Sequence, residues 1–150
     1  MKFLFQKNPS CQEPVVTIEA CEQTQEVLDF YQYAMAYEKN KGRYLVKSEG
    51  QIYKILHREI KKIEVFGDYA TLYSTQQTLT FRKSLRQIEQ ELPAKNFVRV
   101  SRNTLLNITA VIKIESSFSG TMVAILSDVM HVNISRKYWK EVKQRILNDE

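Results

Sequence analysis

The most informative segment of the sequence is FVRVSRNTLLN, residues 97–107. It opens on a short apolar run, Phe97–Val100, and the next residue, Ser101, is of a type that favours the start of a helical turn. We therefore predict a single helical turn from Ser101 through Asn103 to Leu106. Asn107 is interpreted as a structural residue whose side chain satisfies the backbone of a turn.

Two predicted helices flank this stretch in the sequence. Upstream, Ser84 matches the start of a capping box, and the short helix that follows ends at Pro93. Downstream, Ser135 is the predicted cap of a closing helix, with apolar residues at spacings of three and four. The rest of this region has the composition of short β-strands. They are predicted at 44–46 and 52–55, joined as a hairpin by Gly50, and at 60–66, 69–75, 78–81, 111–115, 122–126 and 129–134.

The first forty residues have a different organisation. Pro14–Glu19 is rich in β-branched residues and predicts a strand, and helical periodicity follows from about Glu22 to Asn40. The apolar stripe of that helix must be buried against the rest of the chain or against a second copy. We predict an N-terminal strand–helix extension over 1–42 and a second domain over 43–150. The predicted fold class is α+β, mainly β.

Charge is divided unevenly along the chain. The whole chain has 22 Lys and Arg against 17 Asp and Glu, a net charge of +5. Residues 1–40 hold three basic and six acidic groups, which leaves 19 basic and 11 acidic groups for residues 41–150. The acidic N-terminal segment, residues 1–40, which we call the acidic head, and the basic remainder of the chain suggest two different roles. The basic remainder suggests a polyanionic partner.

Several classes of protein are disfavoured by what the sequence lacks. No run approaches the roughly 18 apolar residues of a membrane span, so a cytoplasmic location is expected. Cys11 and Cys21 suit free thiols, with a regulatory disulfide between them as the alternative. No metal-ligand spacing, phosphate-binding glycine loop or nucleophile–base set can be placed. We therefore expect no enzyme, no cofactor and no small-molecule substrate.

Three motifs in order resemble LytTR-type DNA-binding domains. Residues 97–107 resemble the core motif of that family, and Asn133–Tyr138 (NISRKY) resembles its closing motif. The loop 117–121 resembles one found in small standalone members that have no receiver domain and that begin with a similar strand–helix head. The resemblance covers about residues 44–148. It implies a mostly β, elongated fold that binds the DNA major groove through loops rather than through a recognition helix.

The resemblance and the local sequence together suggest which residues contact DNA. Arg102 lies at the contact position of the core motif, and Arg136 follows a helix cap, where a cation opposes the helix dipole. We predict base contacts from these two arginines and phosphate contacts from Arg82, Lys83 and Lys137. Three further candidates each have a structural alternative: Ser84 as a helix cap, Tyr69 as a strand aromatic, and Asn103 as a local hydrogen-bonding residue.

The predicted partner is double-stranded DNA, bound by a homodimer that regulates transcription in a bacterial cell. The resemblance also implies control by another protein, which could be a small membrane protein acting on the acidic head. The alternative function is an RNA-binding or protein-interaction module. RNA readers stack bases on exposed aromatic side chains. Phe66, Phe81, Phe97 and Trp139 are interpreted as core residues, which argues against that alternative.

Overall fold

The computed structural model describes residues 1–127 and 129–148. The chain divides into two units, Met1–Lys41 and Gly42–Glu150. Within the described ranges, ten strands, three α-helices and two single-turn 3-10 helices follow one another in chain order. They are α1 (Gln25–Asn40), β1 (Arg43–Ser48), β2 (Gln51–Leu56), a 3-10 turn (His57–Glu59), β3 (Ile60–Phe66), β4 (Tyr69–Ser74), β5 (Thr78–Arg82), α2 (Leu85–Glu91), β6 (Phe97–Ser101), β7 (Thr104–Asn107), a 3-10 turn (Ile108–Ala110), β8 (Val111–Ser116), β9 (Met122–Leu126), β10 (His131–Ile134) and α3 (Arg136–Leu147).

The N-terminal unit consists of α1 and an irregular segment before it. Thr24 is the N-cap of α1, where its hydroxyl accepts a hydrogen bond of 3.4 Å from the Val27 N–H. The predicted helix is confirmed, but the predicted strand at Pro14–Glu19 is wrong, because these residues form no strand. Its β-branched composition does not suffice, since a strand also needs a partner backbone to pair with. Of the described side chains in this unit, none is buried.

A tight antiparallel hairpin opens the second unit, as predicted. Ser48 pairs with Gln51 across a two-residue turn. Both turn residues, Glu49 and Gly50, have positive φ angles, of 50° and 75°. That combination defines the turn type whose twist matches the twist of paired strands. Alternate side chains of β1 are buried, beginning with Tyr44, and Ile55 is the buried residue of β2.

The main sheet has five strands in the order β5-β4-β3-β7-β6. Its first face packs with α2 and the β1–β2 hairpin into one hydrophobic core, which includes Phe97 and Leu105. Its second face contributes Val98 and Leu106 to another core, formed with α3 and the three-stranded sheet β10-β9-β8. Strands β6 and β7 are therefore buried on both faces. The predicted class, α+β and mainly β, is confirmed.

The helical turn predicted at Ser101–Leu106 is wrong. Strand β6 ends at Ser101, β7 begins at its register partner Thr104, and only Arg102 and Asn103 separate them. The physical reason is burial on two faces: in a strand, neighbouring leucines point in opposite directions, and here each direction leads to a hydrophobic core. A continuous apolar run of this length does not distinguish such a strand from a buried helical turn.

Candidate nucleic-acid interface

Several chain segments end at the same edge of the five-stranded sheet, which we call the sheet end. The register pairs Phe66 with Tyr69 and Tyr69 with Arg82, so the β3–β4 turn and the last residue of β5 lie side by side. The β6–β7 turn lies next to them, because the Val65 N–H donates a 2.8 Å hydrogen bond to the Asn103 carbonyl. The sheet end thus comprises the β3–β4 turn, the end of β5 with residues 83–84, and the β6–β7 turn.

The start of α3 is joined to the same edge. The Ser135 N–H donates a 2.8 Å hydrogen bond to the carbonyl of Val100, which lies two residues before Arg102. Arg136 and Lys137, the first two residues of α3, therefore follow a residue fixed to β6. The structure accordingly places all eight predicted contact residues on adjacent segments. Their side chains differ in exposure and in how many hydrogen bonds and ion pairs they make within the protein.

Arg102 is the most available of them. It is exposed on the two-residue turn between β6 and β7. Within the described part of the chain, its side chain has no hydrogen bond or ion pair. A guanidinium in this position gives up no hydrogen bond or ion pair to the described residues when it binds a phosphate or the two acceptors of a guanine.

Arg136 is exposed and lightly held. Its Nη2 donates a 3.3 Å hydrogen bond to the Ser119 carbonyl. The predicted cap Ser135 does occupy the N-cap position, but its side chain makes no capping hydrogen bond, so this part of the prediction is wrong. The first N–H groups of α3 therefore lack the acceptor that such a cap supplies. Lys137 is also exposed, with its Nζ 5.7 Å from the centre of the Tyr138 ring.

Arg82 and Tyr69 are exposed at the other side of the sheet end. An Arg82 Nη2 lies 3.4 Å from an oxygen of Asp68 in the neighbouring turn. Both side chains are about three-quarters exposed, so this ion pair adds little stability and is readily exchanged for another partner. Tyr69 is 58% exposed and stands beside Arg82 in the register.

Lys83 and Ser84 are tied into the fold more firmly. Lys83 Nζ lies 2.9 Å from a Glu91 oxygen that also accepts a 2.6 Å hydrogen bond from the Tyr44 hydroxyl. Burial, and then the Glu91 carboxylate, raises the pKa of Tyr44 well above its ordinary range, so that hydroxyl keeps its proton. The Ser84 hydroxyl accepts from the Gln87 N–H in a complete capping box. The structural alternative for Ser84 is thus realised, as the capping pattern predicts.

Asn103 is also engaged locally. Its Oδ1 accepts hydrogen bonds from the Ser101 hydroxyl at 2.7 Å and from the Thr104 hydroxyl at 3.3 Å. Two-point recognition of adenine would require the carboxamide oxygen as well as its nitrogen. Because the oxygen is already occupied, the arrangement suits a residue that shapes the Arg102–Asn103 turn.

Two exposed phenylalanines lie beside these residues, and sequence reasoning did not place either in the site. The prediction that Phe66 is a core residue is wrong, because it is 65% exposed at the end of β3 and pairs with Tyr69. Its position next to the Gly67–Asp68 turn is the signal that could have identified it. Phe118, in the β8–β9 loop, is fully exposed. The argument against RNA binding rests on the aromatic side chains being buried, and the exposure of Phe66 weakens it.

Three features that would indicate another kind of function are a membrane-spanning helix, a metal site and a disulfide. Neither residues 1–127 nor residues 129–148 contain a helix long and apolar enough to cross a membrane. In the same ranges, no group of three or more His, Cys, Asp and Glu side chains is arranged to hold a metal ion. Cys11 and Cys21 are exposed free thiols.

Comparison with known proteins gives consistent matches. A sensory transduction protein LytT of Enterococcus faecalis is 31% identical over 101 residues, which cover 67% of this chain and 42% of that protein. An uncharacterized HTH-type transcriptional regulator of Staphylococcus aureus is 25% identical, over 65% of this chain and 68% of its own length. The chain therefore spans well under half of the length of the LytT relative.

The fold has a counterpart among solved structures. The LytTr DNA-binding domain of a protein described as a methyl-accepting/DNA response regulator, from Bacillus cereus, superposes with a TM-score of 0.64 at 18% identity. The superposition covers 71% of this chain and 97% of that domain. The sequence profile of the LytTr DNA-binding domain matches residues 50–147, which include every strand from β3 to β10. The chain therefore belongs to the LytTr DNA-binding domain family.

Proposed function

We propose that this chain is a DNA-binding transcription regulator and that the sheet end, with the start of α3, is the surface that binds duplex DNA. The observation that carries the proposal is the placement of Arg102 and Arg136. Both are exposed on segments joined by the Ser135–Val100 hydrogen bond, and neither is held in an ion pair within the described residues. Cations that are not neutralised by an internal carboxylate are suited to an external anion.

The proposed contacts divide into two kinds. Arg102 and Arg136 enter the major groove and contact base edges, which gives the choice of sequence. Arg82 and Lys137 contact phosphates, and the first N–H groups of α3 add donors for a phosphate oxygen. Lys83 contributes at longer range, because its ammonium group is shared with Glu91.

The distribution of charge supports a polyanionic partner. Residues 41–150 hold 19 basic and 11 acidic groups, and the cations named above lie on adjacent segments of that region. Neutralising DNA phosphates releases condensed counterions, and this makes binding strongly dependent on salt. The same composition also suits RNA, so the two nucleic acids must be compared directly.

We expect the full chain to bind a duplex selected from a random pool more tightly than single-stranded RNA of the same length. The reason is that the two arginines are displayed for base edges, whereas RNA readers rely mainly on stacking aromatics. With about three phosphates neutralised, by Arg82, Lys137 and, at longer range, Lys83, log K should fall with log salt at a slope of about −3. Fluorescence anisotropy at several salt concentrations measures both quantities.

The control for this experiment is an unselected duplex of equal length, which reports the non-specific binding. Equal affinity for the selected and unselected duplexes would contradict sequence-specific recognition. Tighter binding to single-stranded RNA than to the selected duplex would favour the RNA-binding alternative.

We also propose that residues 1–41 form a contact with a second copy of the chain. Their described side chains are all at least partly exposed, and Tyr33 and Tyr37 of α1 are more than 60% exposed. Aromatic side chains are enriched in protein interfaces. Antiparallel pairing of two α1 helices would bring Glu26 and Asp29 of one copy near Lys41 of the other, as a two-fold axis requires.

Replacing Tyr33 and Tyr37 together by lysine is expected to weaken dimerisation at least tenfold, because two aromatic contacts are lost and charge is buried. Sedimentation equilibrium of the full chain measures the dissociation constant. The matched control is Gln32→Lys, which adds a charge to α1 at an exposed polar position. A monomeric wild-type chain, or equal dimerisation of the double variant and the control, would rule out this role of α1.

A further inference from the structure

The loop between β8 and β9, residues 117–121, is unusually well fixed by its own hydroxyl groups. The oxygens of Ser117 and Ser119 lie 2.8 Å apart, and the Thr121 hydroxyl lies 2.8 Å from the first and 3.1 Å from the second. The backbone is closed as well, because the Ser117 N–H donates to the Thr121 carbonyl at 2.8 Å and the Gly120 N–H donates to the Ser117 carbonyl at 3.0 Å.

Phe118 takes no part in these bonds and stands fully exposed on the loop. A single exposed apolar residue on a mobile loop would need no explanation. Here the neighbouring hydroxyls satisfy one another and hold the loop in one shape, so the ring is presented outward by an ordered frame. Contact with a ligand through such a side chain costs little additional ordering.

The loop also touches a residue of the proposed DNA surface. The Ser119 carbonyl accepts a 3.3 Å hydrogen bond from Arg136 Nη2. A Cβ atom placed on Gly120 would lie 3.8 Å from the same nitrogen, so the loop backbone runs alongside the guanidinium. Phe118 precedes Ser119 in the chain, so the backbone that carries its ring continues directly into the segment beside a cation that we assign to a base edge.

We propose that Phe118 is a specificity-determining DNA contact that packs on the C5-methyl group of a thymine in the major groove, beside the base contacted by Arg136. This inference rests on the proposed function. The thymine methyl is the apolar feature that the major groove presents, and apolar side chains are what recognise it. Arg136 then donates hydrogen bonds to acceptor atoms of a base edge, and Phe118 packs on the thymine methyl group next to them.

The Ser119–Arg136 hydrogen bond places the loop beside the Arg136 guanidinium. If Arg136 contacts one base pair, the loop held by its guanidinium lies over the same or the adjacent step of the groove. A cation alone does not distinguish thymine from cytosine at that step by its methyl group. The apolar ring supplies that discrimination.

The test combines a protein variant with a change of a single chemical group in the DNA. We use Phe118→Ala, with Ile112→Ala as matched control, because Ile112 is an exposed apolar residue of the same hairpin, at 67% exposure. The operator is first selected with the wild-type chain, and each thymine is then replaced by deoxyuridine, which lacks only the methyl group. Dissociation constants are measured for every pair of protein and duplex.

For the wild-type chain, deoxyuridine at one position should weaken binding about fourfold, the equivalent of one buried methyl group. Phe118→Ala should weaken binding to the thymine operator by at least that factor and should lose the discrimination at that position. Phe118→Leu should retain it, since it keeps an apolar group at the site. Ile112→Ala should behave as the wild type does.

The failure of this inference is distinguishable from failure of the proposed function. If the wild-type chain binds no duplex specifically, both the proposed function and the inference about Phe118 are overturned. If the wild-type chain binds its operator and Phe118→Ala binds it equally well, only the inference about Phe118 is overturned. Unchanged sensitivity to deoxyuridine in a weakened Phe118→Ala variant would also overturn it, because the lost contact would then not be to a methyl group.

Discussion

Replacing Arg102 by alanine is expected to weaken specific duplex binding by about 1–3 kcal/mol, which is about five- to 150-fold in the dissociation constant. The side chain stands on the two-residue turn between β6 and β7 and has no hydrogen bond or ion pair within the described residues. Its removal therefore breaks no hydrogen bond or ion pair with the residues that the structure describes. The free energy of unfolding should change by no more than about 0.5 kcal/mol.

Arg102→Lys separates the two ways in which this residue could bind DNA. Lysine keeps the charge and can still hold a phosphate, but it lacks the fork that contacts both guanine acceptors. We expect Arg102→Lys to lose discrimination at one base pair while it keeps most of the salt dependence. Binding measured against a panel of operators, each with one base pair changed, reports the lost preference directly.

Arg136→Ala is expected to reduce specific affinity by a similar factor. Its side chain also holds the Ser119 carbonyl, so part of the loss would come from the β8–β9 loop. The matched control for both arginines is Arg58→Ala. Arg58 is exposed in the His57–Glu59 turn, which precedes β3 at the end opposite to Phe66, about 20 Å away along the strand. Equal losses for Arg58→Ala and Arg102→Ala would show that only net charge matters.

The parts of the fold that could be predicted from sequence are those governed by neighbouring residues. The capping box at Ser84, the turn at Glu49–Gly50 and the periodicity of α1 each depend on a few consecutive side chains, and all three are present. The stretch 97–107 could not be resolved in the same way. Its two cores are formed by distant strands, so its apolar pattern carries no indication that both faces of β6 and β7 are covered.

The limits of prediction at the site have the same origin. The sequence marks Lys83 and Arg102 equally as cations near a turn or a helix start. Only the fold brings Glu91 to 2.9 Å from the Lys83 ammonium and leaves Arg102 without a partner in the described residues. Phe66 is assigned to the core because an apolar residue at the end of an apolar segment is usually buried with the rest of that segment. In the structure β3 extends beyond the hydrophobic core, and its last residue, Phe66, is exposed.

Asn107→Ala is expected to lower the free energy of unfolding by about 2–4 kcal/mol, the largest change in stability that we predict for a polar residue. Asn107 is 1% exposed. Its Nδ2 donates to the carbonyls of His57 at 3.1 Å and Ile60 at 2.7 Å, and its Oδ1 accepts from the N–H and the hydroxyl of Thr109. Alanine keeps none of these four bonds and leaves buried polar groups without their partner.

The same four bonds explain why Asn107 affects the fold and not DNA directly. Two of them join the end of β7 to His57 and to Ile60 at the start of β3, and the other two hold Thr109 in the turn that follows β7, whereas Arg102 and Asn103 lie at the opposite end of β7. Urea titration of the full chain should show the loss, and Asn133→Ala, at an exposed position of β10, should stay within about 0.5 kcal/mol of the wild type. An Asn107→Ala variant as stable as Asn133→Ala would contradict the structural role. An unchanged dissociation constant for the folded fraction would place the role of Asn107 in the scaffold that holds Arg102 in position.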